Sequence, residues 1–146
     1  MIPPRRPSVR SISGPGEALA WVTGLLLAVS AFTGWYALDT EIGTVAVIGW
    51  HTGTVGKLVF FAGLAVLVVL LLRATGLDLP PAFPVGAVVA SLGGLGTILV
   101  LVRLIDIPDR LAGGSRGIGI WISLAAGIAV VGAGLLAASE EVERAT

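Results

Sequence analysis

Charged side chains are missing from four long stretches of this 146-residue chain, and that spacing constrains the fold more than any motif. No Asp, Glu, Lys or Arg occurs from Ala18 to Leu38, from Leu58 to Leu72, from Leu79 to Val102 or from Gly117 to Ala138. A helix rises ~1.5 Å per residue, so about 20 residues cross a hydrocarbon core of about 30 Å. The second stretch reaches that length once it begins near Thr52, which leaves Lys57 inside the end with its ammonium snorkelling outward. The expected elements are helices over 17–38, 52–73, 82–105 and 117–138, packed as an all-α, antiparallel four-helix integral membrane bundle.

Composition agrees and removes several function classes. Apolar residues make up 55% of the chain and charged residues 12%, with 21 glycines besides. A soluble domain carries about 25% charge, so a water-soluble fold of this size would lack polar surface to cover itself. Nine basic and nine acidic residues cancel, and no segment carries the positive excess that phosphate binding needs, which excludes nucleic acid as a partner. Without cysteine there is no disulfide, thiolate nucleophile or Cys-ligated metal.

The connections fit these limits. Gly14-Pro15-Gly16 breaks the chain before the first helix, and Gly76, Asp78 and Pro80-Pro81 separate the second from the third. Pro108 stops the third, and Ser115, after Gly113-Gly114, suits an N-cap for the fourth. Residues 1–16 read as a disordered tail, 17–138 as a single domain and 139–146 as a short acidic tail ending a solvated helix. Arg5, Arg6, Arg10, Arg73 and Arg144 lie at one end of the bundle, and Lys57, Arg103, Arg110 and Arg116 at the other. The cluster of three arginines before the first helix places both termini in the cytoplasm under the positive-inside rule. Trp35, Tyr36, Trp50 and Trp121 would then form an outer aromatic belt, with Trp21 and Phe83 at the inner interface. The first stretch also has features of a signal peptide, with a small-residue site at Val29-Ser30-Ala31, but its apolar run continues to Leu38 and favours retention.

Small residues mark helix packing in a bilayer, where hiding leucine from lipid gains little. They recur every four residues as Ala20, Gly24 and Ala28, as Gly86, Ala90 and Gly94, and as Ala125, Ala129, Ala133 and Ala137. These stripes read as packing within one bundle, or as docking faces for a second copy or another subunit. No ionisable residue sits in the middle of a span, which argues against coupled transport. Thr23, Ser30, Thr33, Ser91, Thr97 and Ser123 are expected to bond back to helix carbonyls, and Glu17 to serve helix-terminus electrostatics.

Polar groups converge at the outer connections, where Asp39, Glu41, Trp50, His51, Lys57, Arg103, Asp106 and Asp109 form a candidate contact patch, with Arg110 and Arg116 nearby. The acids and bases there can neutralise one another, or serve as a head-group or partner-recognition surface. One histidine among scattered carboxylates lacks metal-ligand spacing, and there is no HExxH, nucleophile elbow or phosphate loop. No cofactor is implied and no enzyme is expected. Residues 43–50, GTVAVIGW, read as a short strand or as an interfacial segment, with Gly49 and Gly53 marking a close approach of loop to helix.

The Trp35-Tyr36 pair ending the first span, the Arg-Leu-Ile-Asp-Ile-Pro-Asp segment over 103–109 and the glycine-flanked Trp121 give a layout that resembles the uncharacterised small four-helix integral membrane proteins of high-GC bacteria. That resemblance implies an inner-membrane location and a four-span fold, and supplies no active residues to carry over. The expected function is a non-enzymatic one worked through lipid or protein contacts, as an accessory subunit of a membrane complex or a homo-oligomer. The alternative is an oligomeric channel or small-solute carrier.

Overall fold

Helix forms along most of each uncharged stretch in the computed structural model, which describes residues 14–75, 84–106 and 115–145. In chain order the elements are α1 (Pro15–Ser30), β1 (Gly34–Thr40), β2 (Gly43–Ile48), a 3-10 turn (Gly49–Thr52), α2 (Thr54–Ala74), α3 (Val85–Ile105), β3 (Ser115–Arg116) and α4 (Ile118–Ala145). Three helices are long and apolar enough to cross a membrane: α2, α3 and the Ile118–Glu140 portion of α4. The first is shorter, at 16 residues. Residues 1–13, including Arg5, Arg6 and Arg10, lie outside the described residues, as do Phe83, Asp109 and Arg110.

Two expectations change. The chain is mostly helical but not all-α, because a small antiparallel sheet of order β2-β1-β3 caps one end of the bundle. The first helix does not reach residue 38; it stops at Ser30 and the chain turns into β1. The cause is local. Ser30 has its carbonyl taken by the Thr33 N–H at 3.1 Å, by the Thr33 hydroxyl at 2.5 Å and by Trp35 Nε1 at 2.9 Å, so the helical ladder has no acceptor to continue on. Gly34 is a poor helix former, and aromatic Trp35 and Tyr36 suit a pleated, half-buried strand.

Residues 43–48 are a strand, the first of the two readings given to that segment. β1 and β2 pair through Tyr36 with Val47, Leu38 with Val45 and Thr40 with Gly43, leaving Glu41 and Ile42 as the hairpin loop. Gly43 closes that loop at φ +128°, a backbone region that side chains oppose. On the other side of β1, β3 pairs Tyr36 with Arg116 and Ala37 with Ser115. At the far end of the chain α4 runs to Ala145, so Glu140, Glu141 and Glu143 stand on its last turns.

Around the bundle α1 packs on α2, α2 on α3, α3 on α4 and α4 on α1. Glycine sets the closest of these approaches. A Cβ on Gly63 of α2 would lie 2.5 Å from the Ala28 nitrogen of α1, and one on Gly134 of α4 would collide with the Ala90 backbone of α3. Ala20, Gly24 and Ala28 are buried along α1, with Gly24 against Val66. On α3, Gly86 and Ala90 meet α4, but Gly94 has open space beside it and the seam continues through Gly93 and Thr97. On α4, Ala133 and Ala137 are buried, Ala129 is half-buried and Ala125 is exposed. Each four-residue step turns the helix about 40° beyond a full circle, so a strict four-residue row drifts off the seam and a three-residue step restores it.

Large apolar side chains point away from the core on every helix, among them Leu25, Phe61, Ile98 and Leu135. Val59, Val66, Val89, Val100, Ile120 and Val130 fill the interior. An apolar interior inside an apolar exterior is the pattern of a protein solvated by lipid.

Candidate functional site

Polar groups collect at the two ends of the bundle. At one, where α1 and α3 begin and α2 and α4 finish, charged side chains come from three helices; at the other stands the sheet.

At the sheet end Trp35 and Tyr36 are fully buried, a correction to the aromatic belt in which the sequence placed them. The Trp35 indole of β1 sits so close to Gly49 that a Cβ there would overlap the ring, and a Cβ on Gly56 of α2 would overlap the Gly49 carbonyl, a close approach of loop to helix. The Tyr36 hydroxyl donates to the carbonyl of Arg103 at the end of α3. Its backbone pairs with Arg116, and Arg116 Nε donates to the carbonyl of Leu104. Arg103 is itself half-buried, and its Nε is a buried donor without an acceptor among the described residues. Burial raises the Tyr36 phenol above its ordinary 10.0, with Asp106 adding to the rise and Arg103 and Arg116 opposing it. The phenol is therefore a protonated donor at neutral pH.

The remaining patch residues divide into separate groups. Trp50 stacks on Phe32 with ring centroids 5.6 Å apart and meets Phe60 edge-on at 5.4 Å. Lys57 holds its ammonium 5.7 Å from the centre of the Trp50 ring, a cation–π contact, and His51 is exposed next in sequence. Asp39 accepts a hydrogen bond from the Thr44 hydroxyl at 2.9 Å, and Glu41 is exposed in the hairpin loop. Asp106 is exposed at the end of α3, and Asp109 lies outside the described residues. Among the described residues no ion pair joins these acids and bases.

At the end where α1 begins and α4 finishes the structure assembles a group that the sequence reading left dispersed. Glu17, only 8% exposed, lies 3.7 Å from Arg73 Nε. Glu140 Oε1 accepts the Gly16 N–H at 3.0 Å, so a carboxylate from α4 caps α1 at its positive dipole end. Glu17, Arg73 and Glu140, with Val85 and Ala137, line a small open notch. The sequence held one signal of it: Glu17 in the first turn of α1 and Arg73 in the last turn of α2 must face each other if those helices are antiparallel neighbours.

Hydroxyls inside the helices are mostly spent on the backbone. Thr23 bonds to Leu19 at 2.8 Å, Ser30 to Leu27 at 2.6 Å, Ser91 to Ala87 at 2.8 Å and Thr97 to Gly93 at 2.8 Å. Ser123 departs from that expectation: its buried hydroxyl has no partner among the described residues. Among the described residues no three His, Asp or Glu side chains are grouped to hold a metal ion. Comparison of the chain with protein-family models, with curated proteins and with solved structures gave no match.

Proposed function

We propose that the chain is a non-enzymatic, multi-pass protein of the bacterial inner membrane, with both termini cytoplasmic, that works by contact: its helices meet lipid, and its sheet end meets a protein. That protein is a larger membrane complex, of which this chain is an accessory subunit, or a second copy.

The observation that carries the reading is β2. It is an outer strand of the sheet, so one of its backbone edges has no partner strand among the described residues. Thr44, Val45 and Ala46 are exposed, and Ile42 in the adjoining loop is 99% exposed. Its sequence, GTVAVI, contains neither charge nor proline, the devices that blunt edge strands against pairing. Such an edge offers main-chain hydrogen bonds to an added strand and alternating side chains for selectivity. The arginines Arg5, Arg6 and Arg10 ahead of α1 support the assignment of the sheet end to the outer face.

Purification in mild detergent with mass spectrometry of what co-purifies tests the reading. A partner or second copy held in fixed stoichiometry should be lost when Val45→Lys places a charge on the edge, with helicity unchanged. Retention by the variant refutes the role given to β2, and a self-assembled ring that conducts ions would replace this reading with the channel.

A further inference from the structure

We propose that Arg103 and Arg116 form a binding site for a phosphate-type oxyanion at the sheet end of the bundle. Taken along the chain, the basic residues show no excess, with nine of each sign, yet the fold brings two of them to one residue. Tyr36 is that residue: its backbone pairs with Arg116 across the sheet, while its hydroxyl bonds to the carbonyl of Arg103. Arg116 spends its Nε on the carbonyl of Leu104, the neighbour of Arg103, which anchors the guanidinium and leaves its terminal N–H groups for another acceptor.

Arg103 supplies the observation that points to a ligand. Its Nε is buried and meets no acceptor among the described residues, and neither arginine is ion-paired with a carboxylate among them. A charged group with one donor buried and unsatisfied is costly, so an acceptor from outside the chain that meets the accessible part of this half-buried guanidinium is favoured. Against two guanidinium charges, the one acid acting on the Tyr36 hydroxyl among the described residues is the exposed Asp106, which leaves the described cluster net positive. Planar guanidinium forks match the oxygen spacing of phosphate and bind it bidentately. Arg103 stands in the last turn of a 21-residue apolar helix, at the level where a bilayer carries its phosphates. A lipid phosphodiester and inorganic phosphate share this chemistry.

The test uses the full chain in neutral detergent. One arm measures thermal stabilisation by inorganic phosphate against chloride at equal ionic strength; the other measures retention of phosphatidylglycerol against phosphatidylcholine by native mass spectrometry. Binding is expected in at least one arm, and which arm responds identifies the source. Arg103→Gln and Arg116→Gln should each weaken it about tenfold, the loss of roughly one charged contact, while Arg73→Gln at the opposite end leaves it unchanged. Binding in neither arm, or binding undiminished in both variants, overturns the site. Should Arg103→Gln fail to fold, the exposed Arg116→Gln decides alone, and unchanged binding in that variant is then the contrary result.

Discussion

At the scale of single residues, Tyr36 and Glu140 illustrate how a buried polar atom is made tolerable. Tyr36 gives its proton to the Arg103 carbonyl, and Tyr36→Phe should cost about 1 kcal/mol by leaving that carbonyl unpaired. The pH dependence has a definite sign. Below pH 10.0 the phenol is protonated in folded and unfolded chains alike; above it the unfolded phenol ionises first, because burial holds the folded value higher. Stability from this group is therefore complete below 10.0 and is lost as pH rises through the folded value. The stability gap between wild type and Tyr36→Phe should close as pH climbs past that point, and a constant gap would count against the buried hydrogen bond. Tyr36 is the single tyrosine, so its absorbance titration reports this phenol alone. For Glu140, Gln substitution keeps an acceptor for the Gly16 N–H but removes the charge facing the α1 terminus. A loss of about 0.3–1 kcal/mol is expected from thermal unfolding.

At the scale of elements, the glycines separate packing from chance spacing. Gly63→Ala forces α1 and α2 apart and should cost about 1–3 kcal/mol in detergent unfolding, whereas Gly94→Ala enters open space and should be neutral or stabilising by up to about 1 kcal/mol. Equal effects at the two positions would contradict the seam through Gly93 and Thr97. The positions of α2, α3 and α4 were legible in the sequence because uncharged runs of bilayer length have few alternatives. The end of α1 was not. Trp35, Tyr36, Ala37 and Leu38 are apolar whether they face lipid in a helix or the core in a strand, and what decides between these is that Thr33 and Trp35 donate to the Ser30 carbonyl, a local hydrogen-bond choice that hydropathy does not register. The notch where α1 begins and α4 finishes was legible only through the Glu17 and Arg73 pairing of antiparallel neighbours. Glu17, Arg73 and Glu140 lie far apart in sequence, and the ring order of the helices brings them together. The two arginines beside Tyr36 were out of view, since the register of β3 on β1 puts them there.

At the scale of the whole molecule, the absence of cysteine makes orientation directly measurable. Single cysteines at Ile42, 99% exposed in the hairpin loop, and at Thr75, exposed just beyond α2, should react differently with a membrane-impermeant maleimide. In intact cells Ile42→Cys should label and Thr75→Cys should label only after lysis; the reverse pattern would invert the molecule. Intact mass should also retain α1, whose Ala20, Leu27 and Ala28 are buried in the bundle. One further consequence follows from the unequal helices. At ~1.5 Å per residue the 16 residues of α1 reach about 24 Å, while the 21 residues of α2 and of α3 reach about 31 Å. On the membrane-spanning reading proposed above, the helical wall is thus lower on the α1 flank than beside α2 and α3, and a bilayer of ordinary thickness would thin to a dimple there. Such mismatch costs a fraction of a kcal/mol per ångström, and two copies that shared one dimple would relieve part of it. The membrane itself would then draw short flanks together.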